Sequence, residues 1–264
     1  MDTIQTALKL IQSGCFMASV DLKDAYYSIS VAEEHQTFLK LYWEDCYFQF
    51  TYLPNGLACA QRLFTKVLKP VYAHIRSMGH ICMGHIDDSL IVGYDYTACK
   101  RNIHDTVHSF RTLGFIVHPE KSILEPRQEI VFLGFLLSSM STTIRLPLVK
   151  ASYVKTTCEN LLSKDKFTIR EFAHVIGLIV SSLPGVQFGE LHYRNLEINK
   201  TAVLQCNSGD YDASMYLTDN FRSDMVGLTW WAHNITTAYR YIAESRPDFT
   251  LTTDKGLGSC VGGK

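Results

Sequence analysis

His80-Ile81-Cys82-Met83-Gly84-His85-Ile86-Asp87-Asp88-Ser89-Leu90-Ile91-Val92-Gly93 contains two short apolar runs meeting at a pair of aspartates. Apolar, β-favouring runs so closely joined predict a compact hairpin with Asp87 and Asp88 at its tip. Upstream, Phe16 to Asp21 has the character of an interior strand and ends in Asp21 and Asp24, with Tyr26 and Tyr27 just beyond. If these strands are neighbours in one sheet, Asp21, Asp87 and Asp88 converge. Three carboxylates packed together repel, and the physical cure is a divalent cation with hard oxygen ligands, normally magnesium. Two such ions can activate an attacking oxygen and stabilise a leaving one in phosphoryl transfer. Taken alone, the Asp87-Asp88 pair reads first as an ordinary acidic turn; Asp21 at a second strand end is what brings the metal reading level with it.

Outward from this centre the periodicities alternate. Ile4, Leu8 and Ile11 repeat at helical spacing and stop at Gly14. Thr37 to Trp43 and Cys46 to Tyr52 are aromatic runs around Glu44-Asp45, the pattern of a second hairpin, broken by Leu53-Pro54-Asn55-Gly56. From Ala58, the residues Leu63, Phe64, Val67, Leu68, Val71, Tyr72 and Ile75 form one stripe of a helix ending before Gly79, with Arg62, Lys66 and Lys69 off the stripe. Ile103, Val107, Phe110 and Leu113 define another helix, closed by Gly114 and followed by strand-like Phe115 to Val117 and a turn at Pro119. Val131 to Leu137 and Thr142 to Leu146 read as one more hairpin, and Pro147 opens a helix at its first turn. Residues 147 to about 245 are mainly helical, with Thr168 and Glu171 forming a capping box. Phe249 to Thr253 is the last strand-like run. The expected architecture is α+β: a four-stranded antiparallel sheet with the helices near Ala58 and Tyr96 on one face, then a helical region.

Composition bounds the partners. The 264 residues are 47% hydrophobic and 19% charged, which excludes disorder for the bulk of the chain. Twenty-five basic residues against twenty-six acidic ones give a net charge of -1, so any polyanion is met by local patches. The longest apolar windows, such as Leu133 to Leu137 and Val175 to Val180, fall short of the roughly 20 residues a spanning helix needs, so no membrane partner is expected. Eight scattered cysteines without a Cys-x-x-Cys pair read as reduced, mostly buried thiols of an intracellular protein.

The order of the pieces resembles a known family. Ser19-Val20-Asp21-Leu22-Lys23-Asp24-Ala25-Tyr26-Tyr27, then Leu53-Pro54-Asn55-Gly56-Leu57 with Arg62-Leu63-Phe64, then His85-Ile86-Asp87-Asp88, then Leu113-Gly114-Phe115 to Lys121-Ser122, then Phe132-Leu133-Gly134-Phe135 look like the successive motifs of a retroelement reverse transcriptase. The wording of the Asp21 motif, with Leu183-Pro184-Gly185 and Tyr193-Arg194-Asn195-Leu196-Glu197, is most similar to DIRS-type retrotransposons that carry a tyrosine recombinase. Gypsy-like and retroviral enzymes form the wider group.

The resemblance implies a right-hand polymerase palm over residues 1–140 with partial fingers, a helical thumb or connection region over 141–245, and the start of a ribonuclease H-like domain over 246–264. It implies RNA-directed DNA synthesis with two Mg2+ ions, or Mn2+, on a primed RNA or DNA template with dNTPs, in cytoplasm or nucleus. Asp21, Asp87 and Asp88 would be catalytic metal ligands, joined by the Leu22 carbonyl. Tyr26 would lie beneath the incoming sugar and exclude a 2′-hydroxyl. Asn55 and Gly56 would support the nucleotide, Lys121 would neutralise or protonate the leaving pyrophosphate, and His85, Phe132 and Gly134 would contact the primer. Lys150, Lys155, Lys164 and Lys166 would hold duplex phosphates. The alternative is an inactive relic or co-opted nucleic-acid-binding domain.

Some features depart from the family pattern. His85 stands where a tyrosine is usual, and Gln61 where proline is common. Only twenty residues precede Asp21, so Met1 is expected to be an internal methionine of a longer reading frame. Asp254 resembles the first acid of a ribonuclease H site, and no ribonuclease H activity is expected from one acid.

Overall fold

The computed structural model describes residues 2–216, 225–242, 249–254 and 257–262. In chain order the first elements are Ile4–Leu10 (α1), Phe16–Lys23 (β1), Glu33–Gln36 (α2), Lys40–Trp43 (β2), Cys46–Gln49 (β3), Ala60–Ser77 (α3), Ile81–His85 (β4), Asp88–Gly93 (β5) and Tyr96–Thr112 (α4). Five short strands follow: Ile116–Val117 (β6), Ile123–Arg127 (β7), Glu129–Phe132 (β8), Phe135–Ser138 (β9) and Thr143–Arg145 (β10). The rest comprises Leu148–Leu162 (α5), Lys166–Thr168 (β11), Ile169–Ser182 (α6), Arg194–Cys206 (α7), Ser214–Tyr216 (β12), Val226–Asn234 (α8), Arg240–Tyr241 (β13), Phe249–Asp254 (β14) and Leu257–Gly262 (β15).

The central sheet is antiparallel and has five strands, one more than expected. β4 pairs β5, β5 pairs β1, and the outer side of β1 is shared by two short strands. β6 meets its C-terminal end at Leu22 and Lys23, and β7 meets its N-terminal half at Met17 and Ser19. Alternation along β1 sends Ala18, Val20 and Leu22 into a core with Phe64, Leu68 and Ile75 of α3 and Ile103 and Phe110 of α4. Met17 points the other way and joins Met83, Leu90 and Val92 in a second core. That core continues through α1 and the β8–β10 meander into α5, α6 and α8, where Phe172 and Trp231 are fully buried. The helical region therefore packs on the central sheet through shared apolar surface.

Local rules account for most boundaries. Gly79 and Gly114 adopt positive φ just after α3 and α4, the position where a left-handed residue stops a helix, whereas α1 already ends at Leu10 with an extended Ile11, before Gly14. Thr168 accepts the Glu171 N–H while the Glu171 carboxylate accepts from the Thr168 N–H, the expected capping box. Glu44 and Asp45 both have positive φ between β2 and β3, the signature of a type I′ hairpin.

Several boundaries differ from expectation. Val131 to Leu137 is not one strand: Leu133 and Gly134, both at positive φ, turn it back, so β8, β9 and β10 form a three-stranded meander. Pro147 is the N-cap of α5 and precedes its first turn. Leu63 and Val67 are exposed, so the buried stripe of α3 is narrower than its sequence pattern. Every residue of β2 and β3 is exposed. β15, in the glycine-rich end, was not expected and pairs β14 from Phe249 to Asp254. Of the described cysteines, Cys15, Cys82, Cys99 and Cys158 are buried, Cys46, Cys59 and Cys206 are exposed, and all are free thiols.

Candidate active site

The end of β1 carries Asp21, and its register partner across the sheet is Asp88 at the start of β5. Both lie on the face opposite α3 and α4, because their neighbours Val20, Leu22 and Ser89 point toward those helices. The expected tip of two acids is corrected here. His85 pairs with Asp88, so the two-residue turn is Ile86-Asp87 and Asp88 belongs to the strand. Ile86 holds φ 56°, a left-handed conformation that costs a β-branched residue about 1–3 kcal/mol and is kept only where surroundings dictate it. The dictating contacts are visible. Leu22 N–H donates to the Asp87 carbonyl at 3.0 Å, tying the turn to β1. From α3, the Tyr72 ring covers Gly84, where a Cβ would collide with it, and the Tyr72 hydroxyl pairs with Ser89 Oγ at 2.7 Å.

The three acids feel one another. Burial, then the charges of Asp87 and Asp21, push Asp88 up to about 6. Burial raises Asp21 as well, with Asp87 adding to it and Lys121 and His118 opposing. Burial and Asp87 together raise the Tyr26 phenol, which places this ring in the same electrostatic neighbourhood. Its ring stands edge-on to Phe64 at 5.6 Å. A carboxyl raised in the folded state favours protonation there, so Asp88 supports the metal-free fold below its unfolded value near 4 and withdraws that support as pH climbs toward 6. Asp88→Asn is expected to gain thermal stability relative to the parent chain as pH rises across that window; melting curves at a series of pH values, in chelator, read the difference.

The oxygen-only donor set suits a hard divalent ion. Among the described residues, however, no three His, Cys, Asp or Glu side chains are arranged to hold a metal.

The other expected residues distribute unevenly. Lys121 is exposed, yet close enough to lower both Asp21 and Asp88. The Leu22 side chain is buried against the helices, leaving only its main chain toward the acids. His85 Nδ1 lies 2.6 Å from the Asp2 carbonyl; a carbonyl only accepts, so Nδ1 is the donor of this bond. Asn55 and Gly56 are exposed in the loop before α3, with Gly56 at φ 87°. The Phe132 ring is buried in the second core. Gly134 is exposed at the β8–β9 turn, beside Lys150, whose ammonium sits over the Phe135 ring. Lys155 lies 3.8 Å from Glu159 and Lys164 2.6 Å from Glu171, both pairs at the exposed surface. Lys166 lies over the Tyr216 ring.

Two residues of the motif that ends at Lys121-Ser122 were given no role by the sequence. The segment after β6 braces Asp21 from both sides: His118 N–H donates to its carbonyl at 2.8 Å and Ser122 Oγ accepts its N–H at 3.0 Å. The same segment presents Lys121. Only the nearness of Ser122 to Lys121 could have drawn attention to it, since its partner lies 101 residues away.

An antiparallel sheet thus carries helices on one face and the cross-strand pair Asp21 and Asp88 on the other. Residues 1–137 match the family described as reverse transcriptase (RNA-dependent DNA polymerase), and the chain belongs to that family. It is 28% identical over 196 residues to the Gag-Pol polyprotein of avian reticuloendotheliosis virus, covering 70% of this chain and 16% of that protein. It is 25% identical over 273 residues to the retrovirus-related Pol polyprotein from transposon gypsy of Drosophila melanogaster, covering 99% of this chain and 24% of that one. The fold resembles the foamy viral protease-reverse transcriptase solved in complex with RNA/DNA hybrid, with TM-score 0.65, 18% identity, and coverage of 86% of this chain and 29% of that chain. Reverse transcriptases generally use divalent metal ions. Among the described residues, no helix is long and apolar enough to cross a membrane.

Proposed function

We propose that this chain is the palm and helical thumb or connection portion of an RNA-directed DNA polymerase from a DIRS-type retroelement, acting inside the cell on a primed template. The observation that carries the reading is the cross-strand pairing of Asp21 with Asp88, with Asp87 on the adjoining turn. Asp21, Asp87 and Asp88 would hold two Mg2+ ions. When bound, the ions supply activation of the primer 3′-hydroxyl and stabilisation of the departing pyrophosphate. The residues themselves set the geometry: Leu22 N–H locks the Asp87 turn, while His118 and Ser122 hold the Asp21 main chain. Lys121 offsets negative charge at Asp21 and Asp88, and in the working site it neutralises or protonates the leaving group. Asn55 and Gly56 support the incoming nucleotide, and the exposed Gly134 turn and His85 face the primer.

In this reading residues 1–140 form the palm with partial fingers, 141–245 the thumb or connection, and 246–264 open a ribonuclease H-like domain. The DIRS assignment rests on the wording around Asp21 and on Leu183-Pro184-Gly185.

Extension of a labelled DNA primer on an RNA template, with Mg2+ or Mn2+ and dNTPs, tests the activity. Folded, template-binding protein that extends nothing under either ion would replace this reading with that of a co-opted binding domain. Tyr26 gives a specificity test. Packed edge-on against Phe64 and close to Asp87, it serves as the wall beneath the sugar. Tyr26→Ala is expected to raise incorporation of ribonucleotides relative to deoxynucleotides by about tenfold or more, since relief of a steric exclusion in a pocket is worth roughly 1–3 kcal/mol. Competing dNTP and rNTP extension measures the ratio, and an unchanged ratio removes Tyr26 from this role.

A further inference from the structure

α4 carries two exposed histidines one turn apart, His104 and His108, beside the buried Ile103 and Val107. Their rings are parallel to within 2°, with centroids 6.3 Å apart. His104 Nδ1 lies 3.0 Å from Asp105 Oδ1, and a carboxylate only accepts, so Nδ1 is the donor. In the neutral ring the open lone pair is then on Nε2. His108 has no hydrogen-bond or ion-pair partner among the described residues. The other Asp105 oxygen, Oδ2, lies 2.8 Å from His80 Nε2. Bonds from His104 and then His80 hold the Asp105 carboxyl below its usual range, so it stays a charged acceptor.

Histidines four positions apart share one helix face with Cβ atoms about 5–6 Å apart, the spacing by which a helix supplies two ligands to zinc. Imidazole nitrogen suits zinc, copper and nickel, whereas magnesium takes oxygen. A ligating histidine almost always donates its other N–H to a carboxylate, carbonyl or water, which fixes the ring and raises its basicity. His104 with Asp105 has that arrangement already. Closing on an ion about 2.0–2.1 Å from each nitrogen needs only side-chain rotation, and the exposed His108 ring is free to turn. Among the described residues no third His, Cys, Asp or Glu is arranged with the pair, so water is left to fill the remaining positions. Asp105 follows His104 as the general base follows the first ligand of a zinc-protease helix, but both of its oxygens are engaged. The arrangement therefore suits holding an ion rather than activating a water. Of the two cations bordering the same cleft, Lys100 is neutralised by Glu125 at 2.7 Å, and Arg111 is exposed and screened by solvent.

We propose that His104 and His108 form a two-histidine site on α4 for a nitrogen-preferring divalent transition-metal ion, zinc foremost, with Asp105 orienting His104. The site uses none of the carboxylates at the sheet end and does not rest on the polymerase reading. Through Asp105 and His80 it touches the residue just ahead of β4, one strand of the hairpin that carries Asp87.

The test is isothermal titration calorimetry of Zn2+ into the full chain, with excess Mg2+ present to keep zinc from the carboxylates. His104→Gln and His108→Gln are each expected to weaken zinc binding by at least about tenfold, since even an outer-shell partner is worth roughly 10–100-fold. Asp105→Asn keeps a carbonyl acceptor but loses the charge, and is expected to weaken binding by about tenfold. His74→Gln, in a groove that His108 also lines, is expected to leave the affinity unchanged. Zinc is further expected to raise the melting temperature of the parent chain and not that of His108→Gln, because an ion held by the folded helix stabilises it. Melting without zinc shows that each variant is folded. A parent chain that binds no zinc, parental affinity in His104→Gln or His108→Gln, or an equal loss in His74→Gln overturns the inference. Parental affinity in Asp105→Asn overturns the orienting role.

Discussion

Asp87→Asn is expected to abolish primer extension, by at least about a thousandfold, while leaving the fold and the affinity for single-stranded RNA intact. The carboxylate is lost from a turn residue whose structural contact is made by the main chain: its carbonyl accepts the Leu22 N–H, and an asparagine carbonyl accepts it equally well. The side chain's visible effect is electrostatic, raising Asp21, Asp88 and Tyr26. Removing one negative charge from a cluster that repels itself does not destabilise the metal-free protein, so the loss falls on metal binding and transition-state stabilisation. Single-turnover extension measures the rate, and Mn2+ titration followed by electron paramagnetic resonance measures ion affinity without reference to turnover. Extension retained within tenfold would show that Asp87 is not a metal ligand of the reaction.

The second large effect is on stability. Phe64→Ala is expected to cost about 3–5 kcal/mol, a large share of the 5–15 kcal/mol that holds a typical domain together. Phe64 is fully buried, with Tyr26 edge-on at 5.6 Å and Phe115 edge-on at 6.2 Å. It therefore joins α3 to the residues just after β1 and to the segment entering β6, the two places that carry Tyr26 and the brace on Asp21. Denaturant unfolding reads the loss directly. Because Tyr26 loses its backing, the surviving folded fraction is also expected to discriminate less against ribonucleotides, in the direction of Tyr26→Ala. A loss below 1 kcal/mol would mean that the aromatic cluster collapses around the gap and does not position Tyr26.

Much of the fold was legible because its signals are local. Apolar spacing marked α3 and α4, glycines at positive φ marked where they stop, and Thr168 with Glu171 marked the start of α6. Periodicity alone ran Val131 to Leu137 together across the turn at Leu133-Gly134, because an apolar run gives no sign of a reversal within it; the Phe132 to Phe135 motif match was the only hint of a hairpin there. The narrow burial of α3 was missed for the opposite reason. Leu63 and Val67 fit the periodicity, but what covers a helix face depends on distant elements, and here they border an open groove.

The candidate site divides in the same way. By itself the sequence determined the acids, their order and their place at strand ends, because composition and period-two alternation are properties of short stretches. Only the tertiary structure decided that Asp88 is a strand residue paired with Asp21, that Ile86 bears the left-handed turn, and that Phe132 is core. It also decided which cations are paired: Lys155 and Lys164 meet glutamates and Arg76 of α3 meets Asp2, while Arg62, Lys66 and Lys69 of α3 have no acidic partner among the described residues. The brace on Asp21 from His118 and Ser122 belongs wholly to this second class. Register, pairing and desolvation are set by contacts between segments a hundred residues apart, and no local propensity encodes which partner a strand end will meet.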